Sequence, residues 1–156
     1  MNSYWLSSTK KIEIEKQIDN NYVVDVCIVG AGITGLSTAY YLAKNGLKVI
    51  VVDKSEIGEK TSGHTTAKIT LQHGLIYNYL INTFGFEYAS NYFKANEKAI
   101  SNIKNIIDTE NINCDFEFRN NYIYTTNQDD LNKIHNEIKA VNYLRWRKLC
   151  SIRKRY

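Results

Sequence analysis

Residues Val23–Lys54, VVDVCIVGAGITGLSTAYYLAKNGLKVIVVDK, constrain the fold more than any other part of this chain. An apolar run, Val23–Val29, meets a G-x-G-x-x-G formed by Gly30, Gly32 and Gly35. Apolar residues then recur at helical spacing, at Ile33, Leu36, Tyr40, Ala43 and Leu47, and Ala39 is small enough to let that helix lie near a sheet. Gly46 is a natural helix stop. A second apolar run, Val49–Val52, ends at an acid, Asp53. This order predicts an α/β protein built on a Rossmann-like strand–helix–strand unit with parallel strands. The Val/Ile-rich character of the first strand reads as burial on both faces.

Each fingerprint residue has a physical task. Gly30 permits the tight turn out of the strand. Gly32 has no Cβ, so a pyrophosphate can approach the backbone, and Gly35 lets the helix pack closely on the strand. The pyrophosphate lies at a helix N-terminus, where unpaired N–H groups and the helix dipole favour negative charge. Asp53, 18 residues after Gly35, can accept hydrogen bonds from both ribose hydroxyls and would repel a 2′-phosphate. Ala31, Ile33 and Thr34, between the glycines, and Lys54, beside the acid, complete this part of the candidate set. The ligand class is a bound dinucleotide, and the fingerprint alone accommodates FAD or NAD. A chance glycine cluster would not bring a strand, a periodic helix, a second strand and a terminal acid into the same order.

GAGITGLSTAYYLAKNGLKVIVVDK followed by TSGHTTAKIT resembles the N-terminus of FAD-dependent oxidoreductases of the D-amino-acid oxidase/glycine oxidase type. SGHTTAKITLQHGLIY resembles, more narrowly, a bacterial branch whose members often add a C-terminal Rieske iron–sulfur domain. The resemblance covers about residues 20–143. It implies FAD as cofactor, with the glycines on its pyrophosphate and Asp53 on its adenosine ribose. It also implies that Thr61–Ala67 passes close to the pyrophosphate and the flavin, adding Ser62, His64, Thr65, Thr66 and Ala67 as cofactor contacts. The chemistry agrees: Ser62, Thr65 and Thr66 can donate hydrogen bonds, and Gly63 and Ala67 leave room for a planar ring. Relatives that attach flavin through a histidine match here at Thr65, not His64, so non-covalent binding is expected. Lys68 reads as a surface lysine. The implied activity is hydride transfer from a small substrate, an amine or amino acid, to the flavin. No catalytic residue is assigned.

The rest of the chain reads as helices and one hairpin. A helix is expected from Leu75 to Phe84. A long amphipathic one is expected from Phe86 to about Glu110, with its stripe at Ala89, Phe93, Asn96, Ile100, Ile103 and Ile107. Cys114, Phe116 and Phe118 alternate with Asp115 and Glu117, predicting a strand; Asn120-Asn121 supplies a turn and Tyr122–Thr126 the return. Asn127 is placed to cap a last helix whose apolar face is Leu131, Ile134, Ile138 and Val141. The domain expectation is a leader at 1–20 anchored by Tyr4 and Trp5, an FAD-binding region with covering helices at 21–112, the start of an α+β substrate domain at 113–143, and a basic tail at 144–156.

Charge and cysteines bound the remaining choices. The last twelve residues hold six Lys/Arg and no acid, so the net charge of +4 becomes −2 for residues 1–144. Such a tail is either a nucleic-acid or membrane patch or the product of a shifted reading frame. The second is favoured, so no nucleic-acid or membrane partner is expected. The three cysteines, Cys27, Cys114 and Cys150, form no C-x-x-C pair. That argues against a disulfide reductase and a Rieske cluster within this chain, and Cys27 reads as a buried small apolar residue. His64, His73 and His135 are too scattered for a metal site. With no signal peptide or apolar span in view, the cytoplasm is the default. At 156 residues the chain is short for the family architecture, so a truncated, non-catalytic FAD-binding fragment is the alternative, and an NAD-binding dehydrogenase domain a further one. Oligomeric state is open.

Overall fold

The computed structural model of the chain describes residues 3–10, 18 and 20–144. The chain divides into two compact units, with the boundary in sequence between Lys68 and Ile69.

The first unit contains α1 (Tyr4–Ser8), β1 (Val26–Val29), α2 (Ile33–Lys44), β2 (Val49–Val52) and a 3-10 turn at Thr61–His64. β1 and β2 pair in parallel, Val26 opposite Val49 through to Val29 opposite Val52, with α2 as the connection. The ladder continues at both ends: the Asp25 N–H donates to Lys48 O at 2.9 Å and the Gly30 N–H to Val52 O at 2.7 Å. α2 stops where the sequence says it should. Gly46 has φ +84°, its N–H donates to Ala43 O at 2.9 Å, and the Leu47 N–H donates to Leu42 O at 3.2 Å. This pair of bonds satisfies the last carbonyls of a helix ending in a left-handed glycine.

Burial in this unit differs from expectation. Val29 is 86% exposed and Ile33 66%, Cys27 is exposed rather than buried, and no residue of α2 is buried. Burial on both strand faces needs neighbours on each edge and a layer on each side, whereas the sheet among the described residues has two strands.

The second unit holds α3 (Ile76–Phe84), α4 (Phe86–Thr109), a 3-10 turn at Gln128–Asp130 and α5 (Leu131–Tyr143). Gly85, at φ +86°, is the single residue between α3 and α4. Tyr77, Leu80, Ala89, Phe93, Ala140 and Val141 form the core. Ala89 and Phe93 of the predicted α4 stripe and Val141 of the predicted α5 stripe are buried in it, whereas Asn96, Ile100, Ile103 and Ile107 of α4 and Leu131, Ile134 and Ile138 of α5 are only half-buried. Asn127 caps the 3-10 turn that leads into α5 and not α5 itself, its Oδ1 accepting from the Asp129 N–H at 3.0 Å; the N-cap of α5 is Asp130, which makes no side-chain cap bond. Glu137 is a buried charge, 4% exposed. Its carboxylate accepts from the N–H groups of Tyr77 at 3.0 Å and Asn78 at 2.7 Å, and from Gln72 Nε2 at 2.7 Å. It caps α3 from another helix, where the dipole favours an anion. Burial pushes the Tyr77 hydroxyl pKa up, and that hydroxyl donates to Leu71 O at 2.6 Å.

The predicted hairpin does not form: residues 114–126 contain no strand. Asp115 has φ +51°, which breaks an extended run. Tyr122 and Tyr124 are 77% and 86% exposed, so the return segment has no core to face. A lone two-stranded hairpin is marginal in water. Residues 145–156 of the basic tail, Cys150 among them, lie outside the described residues, while Leu144 joins the core.

Candidate functional site

The candidate site forms where β1 turns into α2. Gly30 makes the turn at φ +112°. α2 then passes so close to the strand end that a Cβ on Gly35 would lie 1.9 Å from Gly30 O and 3.3 Å from Ile28 Cγ2. Gly32, the N-cap, has no capping side chain of its own. The cap comes from the 3-10 turn instead: Ser62 Oγ accepts from the Ile33 N–H at 2.9 Å. A Cβ on Gly32 would lie 3.2 Å from the same oxygen. The N–H groups of Gly32, Thr34 and Gly35 have no acceptor among the described residues. They are the orphan donors that every helix start presents.

Asp53 closes the other side. One carboxylate oxygen accepts from the Ala31 N–H at 2.7 Å. The other accepts from the Ser55 N–H at 2.9 Å and the Ser55 hydroxyl at 3.0 Å. The Ala31 and Ser55 hydrogen bonds hold its pKa at about 2, below the ordinary 3.8, so Asp53 is ionised at neutral pH. It also ties the glycine turn to the end of β2, a role the sequence pattern does not announce. The segment after Asp53 folds back, with the Gly58 N–H donating to Ala31 O at 3.0 Å.

Together these elements line a cleft of about 170 Å³ bounded by Ala31, Gly32, Asp53, Glu56, Gly58, Glu59, Lys60, Thr61 and Ser62. The volume suits a sugar-sized portion of a dinucleotide, not the whole molecule. Three carboxylates and one ammonium make the wall beyond α2 acidic, which favours a hydroxylated ring there and leaves an anion to the helix start. Those carboxylates do not converge as a metal-binding group. A dinucleotide fits this donor set: orphan N–H groups at Gly32, Thr34 and Gly35, a glycine cradle that a Cβ would fill, and an ionised acid opposite.

Of the predicted residues, Ala31, Gly32, Asp53 and Ser62 line the cleft, and Gly30, Ile33, Thr34 and Gly35, in the turn and the first turn of α2, flank those residues in sequence without lining it. Lys54, His64, Thr65, Thr66 and Ala67 do not line it. All five are exposed. His64 Nδ1 lies 2.9 Å from Lys60 O; a carbonyl only accepts, so that nitrogen carries the proton. Thr65 Oγ1 accepts from the Ala67 N–H at 3.1 Å, and Ala67 holds φ +54°. Thr61, the first residue of the loop expected near the cofactor, also lines the cleft, whereas Glu56, Gly58, Glu59 and Lys60 were not anticipated. In sequence they are a polar loop, brought to the cleft by the Gly58–Ala31 bond and by the Ser55–Asp53 and Ser62–Ile33 bonds on either side.

Residues 25–154 match the model of a family described as FAD dependent oxidoreductase, DAO. The match runs beyond residue 143, where the motif resemblance ends. The chain is 39% identical over 142 residues to the putative Rieske 2Fe-2S iron-sulfur protein YhfW of Bacillus subtilis, covering 91% of this chain and 28% of that protein. It is 31% identical over 87 residues to gamma-glutamylputrescine oxidoreductase of Escherichia coli, covering 56% and 20%. It is 32% identical over 95 residues to the probable oxidoreductase OrdL of Haemophilus influenzae, covering 60% and 22%. The chain thus spans less than a third of the length of these curated relatives. No solved structure matches it.

Proposed function

The chain belongs to the DAO family of FAD-dependent oxidoreductases, and from that premise we propose that residues 25–67 hold the adenosine-diphosphate half of FAD. The observation that carries this reading is the cleft itself, which sets the orphan N–H groups of α2 opposite an ionised Asp53. The N–H groups of Gly32, Thr34 and Gly35 take the pyrophosphate oxygens, helped by the helix dipole. Asp53 accepts from the ribose hydroxyls with the lone pairs left over from Ala31 and Ser55. Ser62 spends its acceptor on the Ile33 N–H and keeps its own proton to donate to a phosphate oxygen. Thr65, Thr66 and Ala67 follow on toward the flavin. FAD, once bound, supplies the hydride acceptor.

The reaction of the whole protein is read as oxidation of a small amine or amino acid. The relative named for gamma-glutamylputrescine, an amine derivative, supports that substrate class. Within residues 1–156 the three cysteines form no C-x-x-C pair, so the cluster in the name of the Bacillus subtilis relative is not assigned to these residues. No helix of the described residues is long and apolar enough to cross a membrane.

Flavin-fluorescence titration of the 156-residue chain tests the site. FAD is expected to bind, ADP-ribose to compete, and FMN, which lacks the adenosine half, not to compete. Binding of NAD in place of FAD, or equal competition by FMN, would overturn the assignment. Anaerobic bleaching of the flavin band by an amine is the matching test of substrate class, and a flavin that no amine reduces would refute it.

A further inference from the structure

We propose that the N-terminal turn Ser3–Thr9 is the positioning element of the Thr61–Ala67 loop, and through that loop of the bound cofactor, with Trp5 as its main tie. The proposal rests on the reading that this loop meets FAD. Three contacts carry it. The Trp5 indole N–H donates to Thr65 O at 2.7 Å, across 60 residues of sequence. The Ser3 hydroxyl donates to Gly63 O. Leu6 packs on Gly63 so closely that a Cβ there would lie 2.9 Å from Leu6 Cδ2, and 2.4 Å from Gly58 O on another side.

The pattern along the loop gives these contacts a purpose. The carbonyls of Gly63 and Thr65 are bound by α1, while the Ser62 side chain reaches the first turn of α2. The loop is therefore gripped from two directions, and the place of the Ser62 hydroxyl depends on both. The remaining hydrogen bonds of residues 61–67 among the described residues stay close to the loop. Besides any inside the 3-10 turn itself, they are the Gly63 N–H to Lys60 O, His64 Nδ1 to Lys60 O, and the Ala67 N–H to Thr65 Oγ1. Without α1, only the Ser62 bond would join the loop to the βαβ unit, and a segment with so few outside contacts opens locally. α1 in turn has five residues, none buried, too few to persist as an isolated helix. Its formation and the loop's placement are one event.

Trp5→Phe keeps a ring and deletes the N–H donor, and Ser3→Ala deletes the second tie should the first variant fold poorly. In the full chain without FAD, hydrogen exchange over residues 61–68 is expected to rise roughly five- to tenfold in either variant, the scale of one lost hydrogen bond. Exchange in α3 and α5 should not change. The FAD dissociation constant should rise by a similar factor, and the visible circular dichroism of the bound flavin should shift. Unchanged exchange over 61–68 in both variants would overturn the proposal. Faster exchange with unaltered FAD affinity and dichroism would also overturn it, while leaving the cleft assignment intact. A wild-type chain that takes up no FAD would overturn the cofactor reading and the positioning of FAD together; the exchange measurement would then decide only whether α1 holds the loop.

Discussion

Gly35→Ala should destabilise the βαβ unit, although helix propensity argues for the opposite sign. Gly35 lies in the first turn of α2 and holds no left-handed conformation. On propensity alone, alanine would therefore gain about 0.8–1.0 kcal/mol over glycine. The packing decides against it. A Cβ would lie 1.9 Å from Gly30 O, and a carbon–oxygen contact needs about 3.3 Å, so helix and strand end must part by roughly 1.4 Å. The methyl cannot swing aside, because Gly30 C at 3.1 Å and Ile28 Cγ2 at 3.3 Å flank it. Overpacking of this kind costs about 3 kcal/mol, leaving a net loss of about 2 kcal/mol after the propensity gain, a large share of a small domain's stability. Urea unfolding followed by far-ultraviolet circular dichroism reads the loss. Gly46→Ala is the control: nothing lies within 4 Å of its Cβ, so only the left-handed φ penalises it, by about 1–2 kcal/mol. A Gly35→Ala chain as stable as wild type, or more so, would refute the close approach of α2 to β1.

Glu137→Ala should destabilise the second unit by about 2–4 kcal/mol, because two N–H groups at the start of α3 and the Gln72 amide lose their acceptor at a buried site; a loss below 1 kcal/mol in thermal unfolding would show that water replaces it. Asp53 should titrate near 2 by carboxyl carbon NMR. Because its folded pKa is depressed, its contribution to stability is complete above about pH 4 and is lost as the pH falls through 2, and a midpoint at or above 3.8 would contradict the Ala31 and Ser55 hydrogen bonds. Amide exchange should be slow in α3 and α5 and fast in β1 and β2 without ligand, and FAD at a hundredfold excess over its dissociation constant should slow β1 and β2 by up to about 100-fold. Equal protection of the two regions before FAD is added would count against the burial contrast between the units.

The elements that could be read directly are those whose determinants are local. β1, α2 and β2 follow from glycines, helical spacing and β-branched runs that sit together in sequence, and the Gly46 stop needs only its own positive φ. α3, α4 and α5 follow from periodicity, and Asn127 caps two residues ahead of itself. The hairpin at 114–126 failed for the complementary reason. Its alternation was present, but a strand is stabilised by a partner and a core face elsewhere, and alternation cannot report whether these exist.

The same division runs through the site. The glycines and Asp53 were legible because a fingerprint encodes backbone geometry over a short distance. Glu137 was not, since an acid at one position of α5 looks like any solvated helix charge until α3 brings two N–H groups to it. Nor were the ties of Ser3 and Trp5, which span 60 residues and end on backbone carbonyls, groups that every residue type carries and no sequence distinguishes. Burial was the least legible property of all. Val29 and Ile33 have the composition of core residues, yet they stand 86% and 66% exposed, because apolar character states what a side chain prefers, and only surrounding layers can satisfy it. Local pattern therefore fixes where the chain turns, whereas burial, and the hold of α1 on the loop that we propose meets the cofactor, depend on contacts that lie far away in sequence.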